Sequence, residues 1–418
     1  MEKIIRSGSI RGALTPPCSK SYAQRALAVS LLTKGISELR NIEFCDDTRA
    51  ALRCIETLGA HITQKGEDQL LIEGGLHPID NILYVGESGL SSRMFSPIAA
   101  LHDRPIRIQG SGSLLRRPMS IMTDALRQLG VDVRDNGGLL PLDICGPLRG
   151  GEATIDGSVS SQFITGLLLA APLAETDTTL YIRGAVSTPY LDMTIDTAEH
   201  FGVEICRRGY EEFYIAGGQH YTPTTFDIEG DWSAAAMLLV MGATAGEITV
   251  HNVHMLSKQA DTAICTALVR AGAAVMNDAD SVTVVSRPLS AFEFDATECP
   301  DLFPALAVLA SAAEGDSVIR GTSRLTHKEC DRASAIQEEF GCMGIDVDLS
   351  EPDTMRIRGG AIHGAHVKSH GDHRMAMATA VAALRADGPV TIEGAESVAK
   401  SYPNFFEDLQ KVKIDNTL

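Results

Sequence analysis

The chain has 418 residues, 44% of them hydrophobic and 22% charged, with a formal net charge of -18 at pH 7. That length accommodates two or three domains and that composition a substantial core, which excludes a disordered chain, while the acidity argues against a nucleic-acid or anionic-membrane partner, since both need a basic face. No stretch approaches the ~20 apolar residues of a membrane span, and the start, MEKIIRSGSIRG, lacks the apolar segment of a secretory signal, so a cytoplasmic protein is expected. The cysteines at 18, 45, 54, 145, 206, 265, 299, 330 and 342 are scattered without a C-x-x-C pair, which predicts buried thiols rather than a zinc site or a disulfide framework.

In chain order the predicted elements repeat about every 70 residues. Apolar runs that read as buried helices begin SKSYAQRALAVSLL, SGLSSRMFSPIAAL, VSSQFITGLLLAAPLA, DWSAAAMLLVMGA, PDLFPALAVLASAA and GDHRMAMATAVAAL, and they align at Ser21, Ser91, Ser161, Asp231, Asp301 and Asp372. A second, amphipathic helix is predicted to start near Asp47, Arg117, Ser187, Lys258, Lys328 and Lys400. Five of these second helices end at a glycine suited to the left-handed position past a helix end, Gly59, Gly130, Gly202, Gly272 and Gly344, each followed by an alternating strand start; DLQKVKI (408–414) reads as a sixth, degenerate copy. Between the helices lie short strands such as ELRNIEF, IRIQG, TLYIRGA, EITVHNV, SVIRGT and VTIEGA. The expectation is an α/β protein of six βαβαββ-type units.

Units one to three carry Ser, Lys, Arg and Gln at the starts of the apolar helices, and units four to six carry Asp there. The change falls in AGGQHYTPTTFDIEG (216–230), a Gly, Pro and Thr-rich boundary. Two domains of three units follow, 14–228 and 1–13 with 229–418, with a cleft between them. Because the units can close their cores internally, a monomer is expected.

Helix N-termini expose N–H groups and a positive dipole end, so cations placed there imply that anions arrive. Lys20, Arg25, Arg93, Arg116, Arg117, Lys328, Arg332 and Arg374 all lie at or near inferred helix starts. Ser21 and Arg25 are four apart and share a face; Lys328 and Arg332 are four apart as well, a like-charge spacing that costs helix stability unless something negative lies between them. A single such cation is more often solvated or paired with a carboxylate, but recurrence at one register favours ligands. Ser160, Ser161, Asp231, Asp301 and Asp372 also fit helix caps, the preferred reading for Asp231. His327 and His373 flank charged motifs without metal-ligand spacing, and GSGS (110–113) reads as a turn rather than a phosphate loop.

SKSYAQR (19–25), GSVSSQF (157–163), STPYLDMT (187–194), PD (300–301), HKECDR (327–332), GDHRMAM (371–377) and AKSYPNFF (399–406), in this order, resemble the enolpyruvyl transferase family along the whole chain. That family's fold, two inverse α/β barrel-like domains with buried helices, agrees with the six-unit plan. The resemblance implies transfer of the enolpyruvyl group of phosphoenolpyruvate to the 5-hydroxyl of shikimate 3-phosphate with release of phosphate, using small-molecule substrates, no cofactor and no metal. It assigns 14–228 mainly to shikimate 3-phosphate and the other domain to catalytic carboxylates and phosphoenolpyruvate-binding cations. By motif, Lys20, Ser21, Arg25, Ser160, Ser161, Gln162, Ser187 and Tyr190, with Asp301 and Lys328, would hold shikimate 3-phosphate. Lys20, Gly89, Arg93, Arg117, Gln162, Arg332, Arg374 and Lys400 would hold phosphoenolpyruvate. Asp301 and Glu329 would move the protons, with Lys20 and Lys328 stabilising charge.

The family's N-A-G-T-A-M-R pattern reads ESGLSSR (87–93), with Glu87 and Leu90 as departures; Cys18 replaces a usual glycine, and Arg324 lies where a neutral or acidic residue is usual. The branch of the family that uses UDP-N-acetylglucosamine is the nearer rival, but it resembles a chain with a reactive cysteine in the region RIQGSGSLLRRP (107–118), which has none here. A non-catalytic phosphometabolite-binding protein is the other rival, and it gives no reason for carboxylates among the cations.

Overall fold

The computed structural model describes residues 1–326 and 328–414, and its contacts divide them into two units, Cys18–Ile228 and Met1–Pro17 with the chain from Glu229 onward. The first unit contains α1 (Lys20–Leu32), α2 (Asp46–Thr57), α3 (Gly89–Ala99), α4 (Ser120–Gln128), α5 (Gln162–Ala170) and α6 (Pro189–His200). The second contains α7 (Trp232–Ala245), α8 (Ile264–Arg270), α9 (Phe303–Ser311), α10 (Arg332–Cys342), α11 (His373–Ala383) and α12 (Phe405–Val412).

The odd-numbered helices are apolar nearly all round and sink into the cores: every residue of α3, α9 and α11 is buried. In the first unit α1 and α5 pack on α3; in the second α7, α9 and α11 pack on one another. The even-numbered helices are one-sided, α2 burying five of its twelve residues and α10 five of its eleven.

Each strand anticipated from the sequence sits inside its sheet with one parallel and one antiparallel neighbour. Gly35–Arg40 pairs with Thr225–Asp227 and Gln69–Gly74, Ile106–Gln109 with Ile82–Tyr84 and Leu142–Cys145, and Thr178–Arg183 with Gly151–Asp156 and Glu212–Ile215. In the second unit Gly246–His251 pairs with Ser9–Leu14 and Ser281–Val285, Asp316–Arg320 with Glu293–Asp295 and Thr354–Arg358, and Val390–Glu393 with His366–Lys368 and Glu2–Ile5. Alternation sets one face inward: Ile106 and Ile108 are buried while Arg107 is exposed. The sheets have three to five strands and remain separate among the described residues, so the units are barrel-like in surrounding their odd-numbered helices rather than in closing a sheet.

Gly59, Gly130, Gly202, Gly272 and Gly344 have φ of 109°, 81°, 83°, 93° and 86° directly after a helix end. These are conformations that a side chain disfavours. The anticipated second-helix starts need correction, because α4, α6, α8, α10 and α12 begin later than predicted. Arg117 is extended (φ -85°, ψ 134°) because Pro118 follows it, and Ser187 is left-handed (φ 54°), so both lie on turns ahead of their helices. No helix among the described residues is long and apolar enough to cross a membrane.

Candidate functional site

In the first unit, side chains tie the starts of the three buried helices together. Ser19 caps α1 and Ser88 caps α3, accepting from Tyr22 N and Ser91 N respectively. Gln24 Nε2 donates to the cap oxygen of Ser88 at 3.1 Å, linking α1 to α3. Arg25 links α1 to α5 and α6. It is 1% exposed and donates to Thr194 Oγ1 (2.9 Å), Ser21 O (2.8 Å), Thr165 Oγ1 (3.3 Å) and Tyr190 O (3.1 Å). Burial lowers its pKa to about 10. Arg25 is thus a brace that fixes Ser21 and Tyr190.

Arg93 links α3 to α5, donating to Gln162 Oε1 at 2.6 Å while its guanidinium lies 4.4 Å from the Phe163 ring centroid. Gly89, the first residue of α3, is where Arg93, Arg117 and Gln162 converge: a Cβ there would meet Arg117 Nη1 at 2.9 Å, Gln162 Oε1 at 3.4 Å and Arg93 Nη1 at 3.7 Å. Arg116 is exposed, whereas Arg117 is buried. Ser160 Oγ accepts from Gln162 N at 3.3 Å, and Ser161 is buried at the start of α5. Lys20 Nζ lies 2.9 Å from Asp47 Oδ2. Leu90, in place of the usual threonine, joins the apolar core.

The second unit repeats this convergence with carboxylates. Asp301 lies in the turn Pro300–Leu302 ahead of α9, so it is not that helix's cap. Its Oδ1 accepts from Lys328 Nζ at 3.2 Å and Arg332 Nη1 at 2.6 Å, and its Oδ2 from Arg374 Nη2 at 3.1 Å. Arg332 is fully buried and also reaches Glu329 Oε2 (2.6 Å) and Asp372 Oδ2 (2.7 Å). Arg374 further donates to Ser233 Oγ at 2.9 Å and to His373 Nε2 at 2.5 Å, and Lys400 Nζ donates to Gly371 O at 2.9 Å. Ser233 hydrogen-bonds Asp261, which is 2% exposed.

Burial alone would raise the Asp301 carboxyl, but Arg374, Lys328 and Arg332 outweigh it and hold it well below the usual carboxylate range. Burial lowers Lys328, with Asp301 opposing the shift. For Arg332 burial is overcome by Asp372, Glu329 and Asp301, which raise it well above its ordinary value. Asp261 moves the other way, because burial and then the Asp301 charge push it up to about 7, against the lowering effect of Arg374 and Ser233. Asp301 is thus surrounded by three cations, one of which, Arg332, it shares with Glu329 and Asp372.

The negative group between Lys328 and Arg332 is the protein's own Asp301, and Lys20 likewise has Asp47, so those cations do not by themselves require an incoming anion. Asp372, one of the residues that fit a helix cap, does cap α11, accepting from Arg374 N, but it is also the fully buried partner of Arg332. Asp231 caps α7. Ser233 and Asp261 were missed; only their place beside repeated helix starts could have flagged them. His327 lies outside the described residues. Glu338, Glu339 and His370 have donor atoms within 4.8 Å of one another, but Glu339 is occupied by His370 Nε2 at 2.5 Å and Lys368 N at 2.9 Å, a clamp between α10 and the strand before α11.

A family profile described as EPSP synthase (3-phosphoshikimate 1-carboxyvinyltransferase) matches residues 5–409. A 3-phosphoshikimate 1-carboxyvinyltransferase of Methanocorpusculum labreanum is 38% identical over 99% of both chains, and one of Thermococcus kodakarensis is 40% identical over 96% of this chain and 98% of the relative. Among solved structures, an EPSP synthase of Acinetobacter baumannii superposes with a TM-score of 0.84 at 28% identity, covering 99% of this chain and 98% of that one. The enolpyruvyl transferase NikO of Streptomyces tendae shares the fold with a TM-score of 0.79 at 20% identity, over 98% and 96%.

Proposed function

The chain belongs to the EPSP synthase (3-phosphoshikimate 1-carboxyvinyltransferase) family, and from that premise we infer that it is a transferase moving the enolpyruvyl group of phosphoenolpyruvate to the 5-hydroxyl of shikimate 3-phosphate, releasing phosphate. The observation that carries the assignment of roles is Asp301 held by Lys328, Arg332 and Arg374. In this reading Ser21, Ser160, Ser161, Gln162, Ser187 and Tyr190, with Lys20 and the Arg25 brace, receive shikimate 3-phosphate. Arg93, Arg117 and Gln162 around Gly89, with Lys20, Arg332, Arg374 and Lys400, receive phosphoenolpyruvate, whose carboxylate and phosphate suit planar guanidinium groups.

Before substrates bind, Asp301 is the counter-anion of three cations and a weak base. A phosphoenolpyruvate anion that takes over Arg332 and Arg374 leaves Asp301 with less positive charge around it, so its proton affinity rises when the 5-hydroxyl arrives. Asp301 accepts the hydroxyl proton as the new C–O bond forms, and Glu329 delivers a proton to the methylene carbon, making a methyl group in a tetrahedral intermediate. Collapse breaks the C–O bond to phosphate, returns a methyl proton to Glu329 to restore the double bond, and passes the Asp301 proton to the departing phosphate. Lys20 and Lys328 stabilise the oxyanions along the way.

The test is phosphate release with phosphoenolpyruvate and shikimate 3-phosphate, beside UDP-N-acetylglucosamine as the other acceptor and beside Asp301→Ala. Release with shikimate 3-phosphate alone, lost in the variant, is expected; release with UDP-N-acetylglucosamine, or a fully active variant, would overturn the reading. We propose a cytoplasmic working form that is a monomer, the latter because each sheet draws all its strands from one unit; sedimentation at a dimer's mass would contradict it.

A further inference from the structure

Glu87 immediately precedes Ser88, the cap of α3. Backbone bonds lay its turn against the loop at 110–113: Val85 N donates to Gln109 O and Ser111 N to Gly86 O, both at 2.8 Å. Glu87 Oε2 accepts from Ser113 N at 3.3 Å and from Ser113 Oγ at 3.4 Å. The carboxyl group also covers Gly112, where a Cβ would come within 2.3 Å of Glu87 Cδ and 2.5 Å of either oxygen, and where φ is 56°. Glycine is therefore favoured at 112 by the left-handed backbone, and any Cβ there would have to displace the Glu87 carboxylate above it. Ser113 Oγ in turn accepts from Arg117 Nη2 at 3.4 Å, and Arg117 Nη1 is the group that crowds Gly89.

We propose that Glu87 is a positioning residue: its carboxylate holds the Gly112–Ser113 turn and, through the Ser113 hydroxyl, aims Arg117 at the phosphoenolpyruvate anion. This rests on the assignment of Arg117 to phosphoenolpyruvate made above. A neutral, shorter asparagine, the residue usual in the family's pattern, carries no charge with which to hold this turn. The departure at position 87 and the GSGS loop, neither of which the reaction itself explains, are thereby two halves of one contact.

The test compares Glu87→Ala, Glu87→Gln, Gly112→Ala and the double variant Glu87→Ala with Gly112→Ala, by steady-state kinetics in each substrate and by amide hydrogen exchange over 110–117. Glu87→Ala should raise the KM for phosphoenolpyruvate about tenfold, equivalent to about 1.4 kcal/mol, leave the KM for shikimate 3-phosphate within about threefold, and speed exchange at Ser113. Glu87→Gln keeps an acceptor oxygen and should recover part of that loss. The double variant should be no worse than the poorer single variant, because both substitutions break the same contact. An unchanged phosphoenolpyruvate KM, equal rises in both KM values, or effects that multiply in the double variant would overturn the proposal. A wild-type protein without turnover would instead overturn the proposed function, and the exchange rate at Ser113 would then decide the anchoring alone: faster in Glu87→Ala supports it, unchanged refutes it.

Discussion

Replacing Arg332 with Met removes the guanidinium that Asp301, Glu329 and Asp372 share, and the three partners do not lose equally. Asp301 and Glu329 have side chains 20% and 18% exposed, so water screens part of their loss, and Asp301 also keeps Lys328 and Arg374. Asp372 is wholly buried and, among the described residues, would keep Cys330 Sγ at 3.8 Å, His373 Nδ1 at 3.7 Å and the α11 amide. Stranding one buried carboxylate costs about 3–5 kcal/mol, and most of that falls on Asp372. Trp232, the single tryptophan, is fully buried in α7 of the same unit, so its fluorescence follows the unfolding of the unit in question. With a urea slope of about 2–3 kcal/mol per molar, the midpoint at neutral pH should fall by about 1–2 M. Adding Asp372→Asn removes the stranded charge and should recover about half of that fall. A fall below about 0.3 M, or a double variant as unstable as the single one, would refute the reasoning.

Asp301→Asn keeps the shape but cannot accept a proton, so kcat should fall by about 10²–10⁴ while calorimetry still detects shikimate 3-phosphate binding; a loss under about tenfold removes Asp301 from proton transfer. Asp261, pushed up to about 7 by burial and then by Asp301, binds a proton in the folded state that the unfolded chain releases at about 3.9. Its contribution to stability is therefore full below about pH 4 and is lost as pH rises through about 7, so Asp261→Asn should flatten the decline in urea midpoint between about pH 5.5 and 8; a profile identical to wild type would show that Asp261 does not hold this proton. In Gly89→Ala the new Cβ would come to 2.9 Å from Arg117 Nη1, the end of a flexible side chain, so the guanidinium must shift. The KM for phosphoenolpyruvate should rise and that for shikimate 3-phosphate should barely change; the opposite pattern would place Gly89 elsewhere in the reaction.

The repeat, the buried character of alternate helices and the glycines past the helix ends were legible in the sequence because each depends on residues within a few turns of one another. An apolar stripe all round a helix such as α9 declares burial whatever it packs against, and Gly130 declares a left-handed turn whatever follows it. The cations at repeated positions were legible for the same reason, and so were the motifs that carry the family. Their partners were not. Whether Lys328 and Arg332 await a ligand or already hold Asp301 depends on a turn 27 residues away for the first and 31 for the second, and the Arg25 brace reaches Thr194 across 169 residues. Likewise the strand that completes the first sheet, Thr225–Asp227, enters from the far end of its unit. Local periodicity belongs to the chain and can be read along it; the choice of charge partner and the closing of a sheet are contacts of large sequence separation, and only the folded backbone brings those atoms within bonding distance.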